Sequence, residues 1–398
     1  MIEGVCPFDL GLRQPGEWAS HANCWIGWPE RPDNWRLGAA PAQRAVAQVV
    51  AAIAELEPVT VVCSASAFIQ ACALLVDHPS SPGQCAQYPV RVVELSTDDC
   101  WLRDTGAVFV CGAEPENAAQ GAGVHFDFNA WGGAQGNCYA ACSLDQLVAK
   151  KMLLLERLPR FWCPMVLEGG SISVDGEGTA LTTAECLLNP NRNPTYSQND
   201  IEKQLRAYLG ITKVIWLPYG IEGDVDTSGH VDNMAVFIAP AKVALHWDPA
   251  DHRCQAAHRV LAQSVDALGR SLEVVLVPAP PALYRQPDEV PQVQPHQPHP
   301  EHADTSEPGA SDSDSYQRRA GERLAASYVN FYRANGGIIM PGFGLPESDE
   351  AARAALQKAL PQIQVVQVPV AREILLGGGN IHCLTQQQPV ISEPIPWR

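Results

Sequence analysis

Leu375-Leu-Gly-Gly-Gly-Asn-Ile-His-Cys-Leu-Thr-Gln-Gln-Gln-Pro389 ends an apolar run on three glycines and places a cysteine just beyond them. Glycine runs let a backbone take positive φ and approach a ligand closely, so Cys383 stands where a cysteine can be reactive. Part of the same stretch, Leu376 to Cys383, lines up without gaps against Leu167-Glu-Gly-Gly-Ser-Ile-Ser-Val174. The match hints at repeated modules, although eight positions do not establish them.

Outward from that match, short apolar runs recur at Val59 to Val62, Val90 to Leu95, Val214 to Leu217, Leu272 to Val277 and Ile363 to Val368. They read as buried strands. Between them lie helical patterns at Pro41 to Glu57, Asp200 to Leu209, His252 to Leu268, Arg318 to Asn335 and Ser348 to Leu360, several opened by an Asp or Ser suited to cap a helix. Strands alternating with helices make an α/β protein. Its 398 residues, 46% of them hydrophobic, suffice for a large core, and length alone allows two or three ordinary domains or one large one. Arg285 to Gln317, rich in Pro, Gln, His, Ser and Asp, reads as a disordered surface loop. Its evenly spaced His296, His299 and His302 lack a structured ligand set and read as solvated rather than metal-binding.

The formal net charge of -17, from 27 basic and 44 acidic residues, argues against a nucleic-acid partner, because neutralising phosphates needs clustered Lys and Arg. A small cation suits such a surface better. Thirteen cysteines form an odd count in a long chain with no secretory h-region after Met1, which reads as a reducing cytosol rather than a disulfide framework. The most apolar stretch, Val61 to Val76, is too short and too polar to span a bilayer, so no membrane association is expected.

Alone, Cys383 is weak evidence, because free cysteines are usually inert, buried, small hydrophobes. Thr227-Ser-Gly-His-Val-Asp-Asn233 supplies His230 and Asp232 at i and i+2, which share a face if the segment is extended. An isolated pair of this kind is more often a core histidine beside a turn residue. Asp104, directly before the apolar Ala107 to Val110, and Glu168, between Val166-Leu167 and two glycines, are carboxylates placed where burial is costly. Asp104 could simply pair with Arg103, and Glu168 could cap a turn. Together the three carboxylates suit a planar guanidinium, whose five N–H donors accept charge-assisted bidentate bonds. Competing motifs fail: Asp224 to Ala235 opens like a calcium loop but ends in Ala where a Glu is required. No Cys-x-x-Cys exists, Cys138 and Cys142 being the closest pair, and neither a phosphate loop nor a dinucleotide fingerprint is present. No metal or cofactor is expected.

The chain resembles the agmatine deiminases over nearly its whole length. The resemblance is carried by Trp28 to Arg36, Trp101-Leu-Arg-Asp-Thr-Gly106, Phe128-Asn-Ala-Trp-Gly-Gly133, Val166 to Ile172, Thr182 to Pro194, Gly229-His-Val-Asp-Asn233, Ala326-Ser-Tyr-Val-Asn-Phe331 and Ile374 to Pro389. It departs in the polar segment around 285–317 and at Ser173 and Ala107. The resemblance implies a single domain over residues 1–398 that folds as a five-bladed α/β propeller of ββαβ modules about a pseudo-fivefold axis. It also implies a cytoplasmic homodimer in putrescine and polyamine biosynthesis. By position it makes Cys383 the nucleophile, His230 the general acid and base, Asp104 and Asp232 the grip on the guanidinium, and Glu168 the support of histidine and substrate.

On that basis the expected reaction converts agmatine to N-carbamoylputrescine and ammonia through an S-alkylthiouronium on Cys383. Three carboxylates would raise the thiol pKa and a bound guanidinium would lower it, so the thiolate should form with the help of substrate. Trp101 is expected to stack on the alkyl chain or to belong to the core, and Arg103 is the one cation near the motifs. Two alternatives are an arginine or peptidylarginine deiminase and a non-catalytic guanidine-binding protein. An amidinotransferase is a further chemical alternative.

Overall fold

The five apolar runs are strands, Val59–Cys63, Val90–Glu94, Lys213–Leu217, Glu273–Pro278 and Gln364–Val368. Each has a parallel neighbour. Parallel strands covered by helices lose the polar alternation of half-exposed ones, which explains the unbroken apolar run at Val59–Cys63, buried at every position. The computed structural model describes residues 2, 4–114, 117–132, 139, 142–292 and 318–395.

Strands fall into five sheets, and one pattern repeats in them. A short turn leads into a first strand, a second strand returns antiparallel, a helix crosses, and a third strand pairs parallel to the second. One sheet holds Val108–Gly112, Gln120–Asp127 and Arg160–Val166, with helix Val148–Leu155 as crossover. The next holds Ile172–Val174, Thr179–Thr183 and Lys213–Leu217, crossed by Gln198–Leu209. A third holds Ala235–Ala239, Lys242–Trp247 and Glu273–Pro278, crossed by His252–Gln263. The fourth holds Tyr332–Ala334, Gly337–Pro341 and Gln364–Val368, crossed by Pro346–Ala359. The fifth is assembled from both ends of the chain: Thr385–Pro389 pairs antiparallel with His21–Gly27, helix Ala40–Ala54 crosses, and Val59–Cys63 follows in parallel.

Local chemistry fixes these elements. Helix Gln198–Leu209 starts on Ser197, whose hydroxyl accepts from Asp200 N–H while Asp200 reaches back to the cap, and it stops at Gly210 with φ of 70°. Ile201, Leu205 and Leu209 recur at four-residue spacing and are buried, each contributing roughly 1.5–3 kcal/mol. Helix Ala40–Ala54 forms most of the one helical stretch among the described residues, Arg36–Ala54, that is long and apolar enough to cross a membrane, and 56% of its apolar window is buried within the protein.

Two readings are corrected. Arg318 to Asn335 is not a helix; its only regular strand is Tyr332–Ala334. Leu324, Ala326, Tyr328, Val329 and Phe331 are all buried, and so are the intervening Ser327 and Asn330. An amphipathic helix would turn part of that set to water. The second concerns 285–317. Residues 285–292 pack against the body, with Arg285 donating to Leu376 O at 2.8 Å and Glu289 bound by Arg372. The remainder, with His296, His299 and His302, lies outside the described residues, as does Cys138. Every cysteine among the described residues is free.

The octets matched in sequence both lie at the head of a sheet but out of register: Leu167–Val174 runs through the first strand, which Ile172 opens, whereas Leu376–Cys383 ends inside the turn that Ile381 opens, ahead of its strand. These leading turns, Leu102–Thr105, Gly169–Ser171, Val231–Met234 and Ile381–Leu384, touch one another in sequence around one interior point.

Candidate active site

Cys383 lies in the turn Ile381–Leu384, capped by Asn380, whose side chain accepts from Ile381 N–H at 2.9 Å. The glycines ahead of it serve close packing. A Cβ on Gly377 would sit 2.2 Å from the Trp35 ring, and one on Gly379 would sit 2.6 Å from the Trp101 ring and 3.1 Å from Cys383 Sγ. Of the three, only Gly378, with φ of +109°, needs the left-handed region.

His230 heads the turn Val231–Met234 that carries Asp232. The extended geometry expected from their spacing is therefore absent, because Asp224 folds the segment into a turn by accepting from Thr227 and from His230 N–H at 3.0 Å. The two side chains still meet, over Gly170. A Cβ there would stand 2.7 Å from His230 Nδ1, 2.9 Å from Asp232 Oδ2 and 3.0 Å from Asp104 Oδ1. Asp104 does not pair with Arg103; it accepts from Gly170 N–H at 2.9 Å and from Trp131 Nε1 at 2.8 Å. Glu168 binds Arg192 through Oε1 at 2.6 Å. The histidine stands between carboxylates, with Nδ1 4.0 Å from Asp104 and Nε2 3.9 Å from Glu168. Cys383 Sγ is 3.6 Å from Asp232 Oδ2.

Two residues next to the thiol were missed in the sequence. Asn330, on the turn leading the fourth sheet, donates from Nδ2 to Cys383 Sγ at 3.3 Å and to Asn233 Oδ1 at 3.0 Å, while its Oδ1 accepts from His382 N–H at 3.1 Å. That last bond fixes which way the amide faces. Asn233 in turn donates to Asp224 at 3.1 Å, so one carboxylate anchors both the histidine turn and the amide beside the cysteine. His382 bridges Asp232 Oδ2 and Glu17 Oε1, both at 2.9 Å, and thereby holds Asp232. The motif Ala326 to Phe331 contained the signal for Asn330.

Burial and charge set the protonation states. Burial, then the Asp232 and Asp104 carboxylates, push the Cys383 thiol well above its ordinary range, against hydrogen bonds from Asn380 and Asn330. Burial works against a charged His230, but Asp104, with Cys186 and Glu168, outweighs it and holds the imidazolium well above the usual range. Asp104 is raised by burial, against His230. Glu168 is buried too, yet Arg192 and His230 bring it down to about 2. Burial and Arg103 oppose a proton on His382, and Glu17 and Asp232 overcome them.

Beside Cys383 a narrow cavity is lined by Asp99, Trp101, Asp104, Trp131, Asp226, Arg318 and the three glycines, among others. Trp101 belongs to the core, where it is buried, donates to Asp99 at 3.0 Å and packs on Trp35 at 5.5 Å, and it also lines the cavity. Arg103 is not the cavity's cation. It is buried behind His382, against the His382 carbonyl and Glu17. Arg318 lines the cavity, but Asp226 at 2.5 Å, Gly377 O at 2.7 Å and Asn34 Oδ1 engage its guanidinium. A larger open groove between Trp247, Pro280 and Leu345 contains none of these site residues. A second acidic cluster, Asp175, Glu177 and Asp266, already holds Arg270 between two of its carboxylates.

What remains open is chemically specific. Both ring nitrogens of His230, Glu168 Oε2 and Asp232 Oδ1 are buried without a hydrogen-bond partner. Such groups are costly unless a ligand completes them. Carboxylate oxygens converging beside a thiol suit a planar cation whose central carbon is electrophilic.

Known proteins agree. Residues 13–389 match the model of the Porphyromonas-type peptidyl-arginine deiminase family. The chain is 47% identical to agmatine deiminase from Medicago truncatula, over 97% of this chain and 98% of that one. It is 49% identical to agmatine deiminase from Pseudomonas aeruginosa strain LESB58, over 95% and 96%. A solved agmatine deiminase of Enterococcus faecalis superimposes with a TM-score of 0.84 at 36% identity, covering 98% of this chain and 99% of that one. The chain belongs to the Porphyromonas-type peptidyl-arginine deiminase family, and within it to the agmatine deiminases.

Proposed function

We propose that this enzyme hydrolyses agmatine to N-carbamoylputrescine and ammonia, with Cys383, His230, Asp104, Asp232 and Glu168 in the roles their positions suggest. The observation that carries the reading is the convergence over Gly170 of His230 Nδ1, which is buried without a hydrogen-bond partner, with the buried Asp232 and Asp104 carboxylates, within reach of the Cys383 sulfur. Asp104 and Asp232 take the guanidinium N–H groups, and the bound cation offsets the two carboxylates that keep the thiol neutral. The thiol proton leaves to solvent as the thiolate forms, and Sγ bonds to the guanidinium carbon. Ammonia departs with a proton from His230. The neutral imidazole then takes a proton from water, whose oxygen displaces the thiolate and leaves the urea. Glu168, ionised by Arg192, favours the imidazolium in the first half of this cycle.

The cavity favours an amine over an amino acid. Its carboxylates Asp99, Asp104 and Asp226 oppose an α-carboxylate, and Arg318 is already engaged. We read the five sheets as five blades about a pseudo-fivefold axis, residues 1–398 as one domain, and the protein as a cytoplasmic homodimer in putrescine and polyamine biosynthesis. Neither nucleic acid nor a membrane is among its proposed partners. Every group the reaction needs is a side chain, so no cofactor is proposed.

The test is ammonia release from agmatine and from arginine. The wild type should turn over agmatine and leave arginine nearly untouched, and Cys383→Ala should fall to about 10⁻⁴ of wild type or less. Retained turnover in Cys383→Ala would defeat the covalent route, and preference for arginine would defeat the substrate.

A further inference from the structure

Cys186 is a fully buried thiol that the proposed reaction does not use. Thr183 ties its turn to the histidine segment: the Thr183 hydroxyl accepts from Cys186 N–H at 3.2 Å and donates to Gly229 O at 2.6 Å. One ligand atom each of Cys186, Glu168 and His230 lie within 4.8 Å of one another. Glu168 and His230 are wholly buried, and Glu168 Oε2 and both His230 nitrogens lack hydrogen-bond partners. Arg192 occupies only the other oxygen of Glu168.

Zinc–ligand bonds of about 2.0–2.3 Å in a tetrahedron set the ligand atoms roughly 3.3–3.6 Å apart. His230 Nε2 and Glu168 Oε2 are 3.9 Å apart, so closing on an ion needs a movement of about half an ångström. Thiolate, imidazole and carboxylate together select a borderline-soft ion over Mg²⁺ or Ca²⁺. Arg192 opposes a cation here, but Asp104, 4.0 Å from the other face of the imidazole, and Asp232 beyond Gly170 offset it. We propose that Cys186, His230 and Glu168 form an inhibitory site for a zinc-class divalent cation. On binding, the Cys186 thiol proton and any proton on the coordinating nitrogen leave to solvent. Three metal–ligand bonds form, and water takes the fourth position. Inhibition follows because the ion takes a His230 nitrogen, a consequence that rests on the acid–base role proposed above. Binding itself does not rest on it.

Co²⁺ is the probe, read by its thiolate-to-metal absorption on the metal-free full chain. One equivalent should give the band in wild type and in Cys383→Ser, and none in Cys186→Ser or His230→Gln, with melting curves checking that each variant is folded. Zn²⁺ should displace Co²⁺ and stop agmatine turnover, and Cys186→Ser should need roughly 10–100-fold more Zn²⁺ for the same effect. The proposal is overturned by a wild type without the band, by a band that survives in Cys186→Ser, or by one lost in Cys383→Ser, which would put the ion on the nucleophile. Binding to the Cys186 site without inhibition would count against the role of His230 instead, so the two failures are distinguishable.

Discussion

Gly170 offers the sharpest test at the scale of one residue. Its bare Cα leaves the space that His230, Asp232 and Asp104 border, so Gly170→Ala should cut kcat/KM by about 100-fold or more, measured by steady-state ammonia release. Asn330 makes a second case. Its Nδ2 donor favours the thiolate, and removing it in Asn330→Ala should raise the Cys383 pKa further, shift the rising limb of the pH–rate profile to higher pH and lower kcat roughly 10²-fold. Asn330→Asp should be worse, because a third carboxylate beside the sulfur again disfavours the anion. Ultraviolet thiolate titration of the free enzyme and of its complex with a non-reactive guanidine reads the effect directly. The free enzyme should hold a neutral thiol at pH 7, and the bound cation should bring its ionisation down. An already ionised thiol in the free enzyme would contradict substrate assistance. Cys383, His230 and the three carboxylates were legible in the sequence, since they announce their chemistry by type, whereas His382 was hidden beside the more conspicuous cysteine. Asn330 was not legible either, because an amide neither titrates nor attacks and a lone Asn usually means a turn.

Among elements, legibility followed the reach of the forces involved. Runs such as Val59–Cys63 and Gln364–Val368 were readable because burial on both faces leaves its mark residue by residue. Helix Gln198–Leu209 was readable because its cap and its apolar spacing are local. Ser197→Ala should lower unfolding free energy by about 1 kcal/mol while sparing turnover, as denaturant melts and an activity assay would show. The stretch 318–335 misled because its apolar residues divide between two cores, Leu324 to Phe331 in one and Tyr332 and Ala334 in another, a tertiary demand that no periodicity encodes. The His230 turn misled for a related reason: Asp224 sets its conformation from six residues away. Which strands share a sheet was illegible too, since Thr385–Pro389 joins His21–Gly27 across nearly the whole chain.

Across the whole molecule, the buried Glu168–Arg192 pair links stability to acid. Folding holds the Glu168 pKa at about 2, below its unfolded value of about 4.3. Its contribution, on the order of 3 kcal/mol, is fully present above the unfolded pKa and is lost as pH falls through that of the folded state. Unfolding monitored by circular dichroism should therefore steepen between about pH 4.5 and pH 2. Arg192→Met should remove that acid dependence and, by leaving a buried carboxylate unpaired, cost about 3–5 kcal/mol at neutral pH.

The fifth sheet draws its first strand from Thr385–Pro389 and its second from His21–Gly27. During synthesis, the turn bearing Cys383 emerges from the ribosome after the turns carrying Asp104, Glu168, His230 and Asn330. A nascent chain can build four of its sheets and still hold its carboxylates and imidazole without Cys383 among them. Closing the last sheet delivers the proposed nucleophile, so activity is expected only after the step that pairs the two ends of the chain.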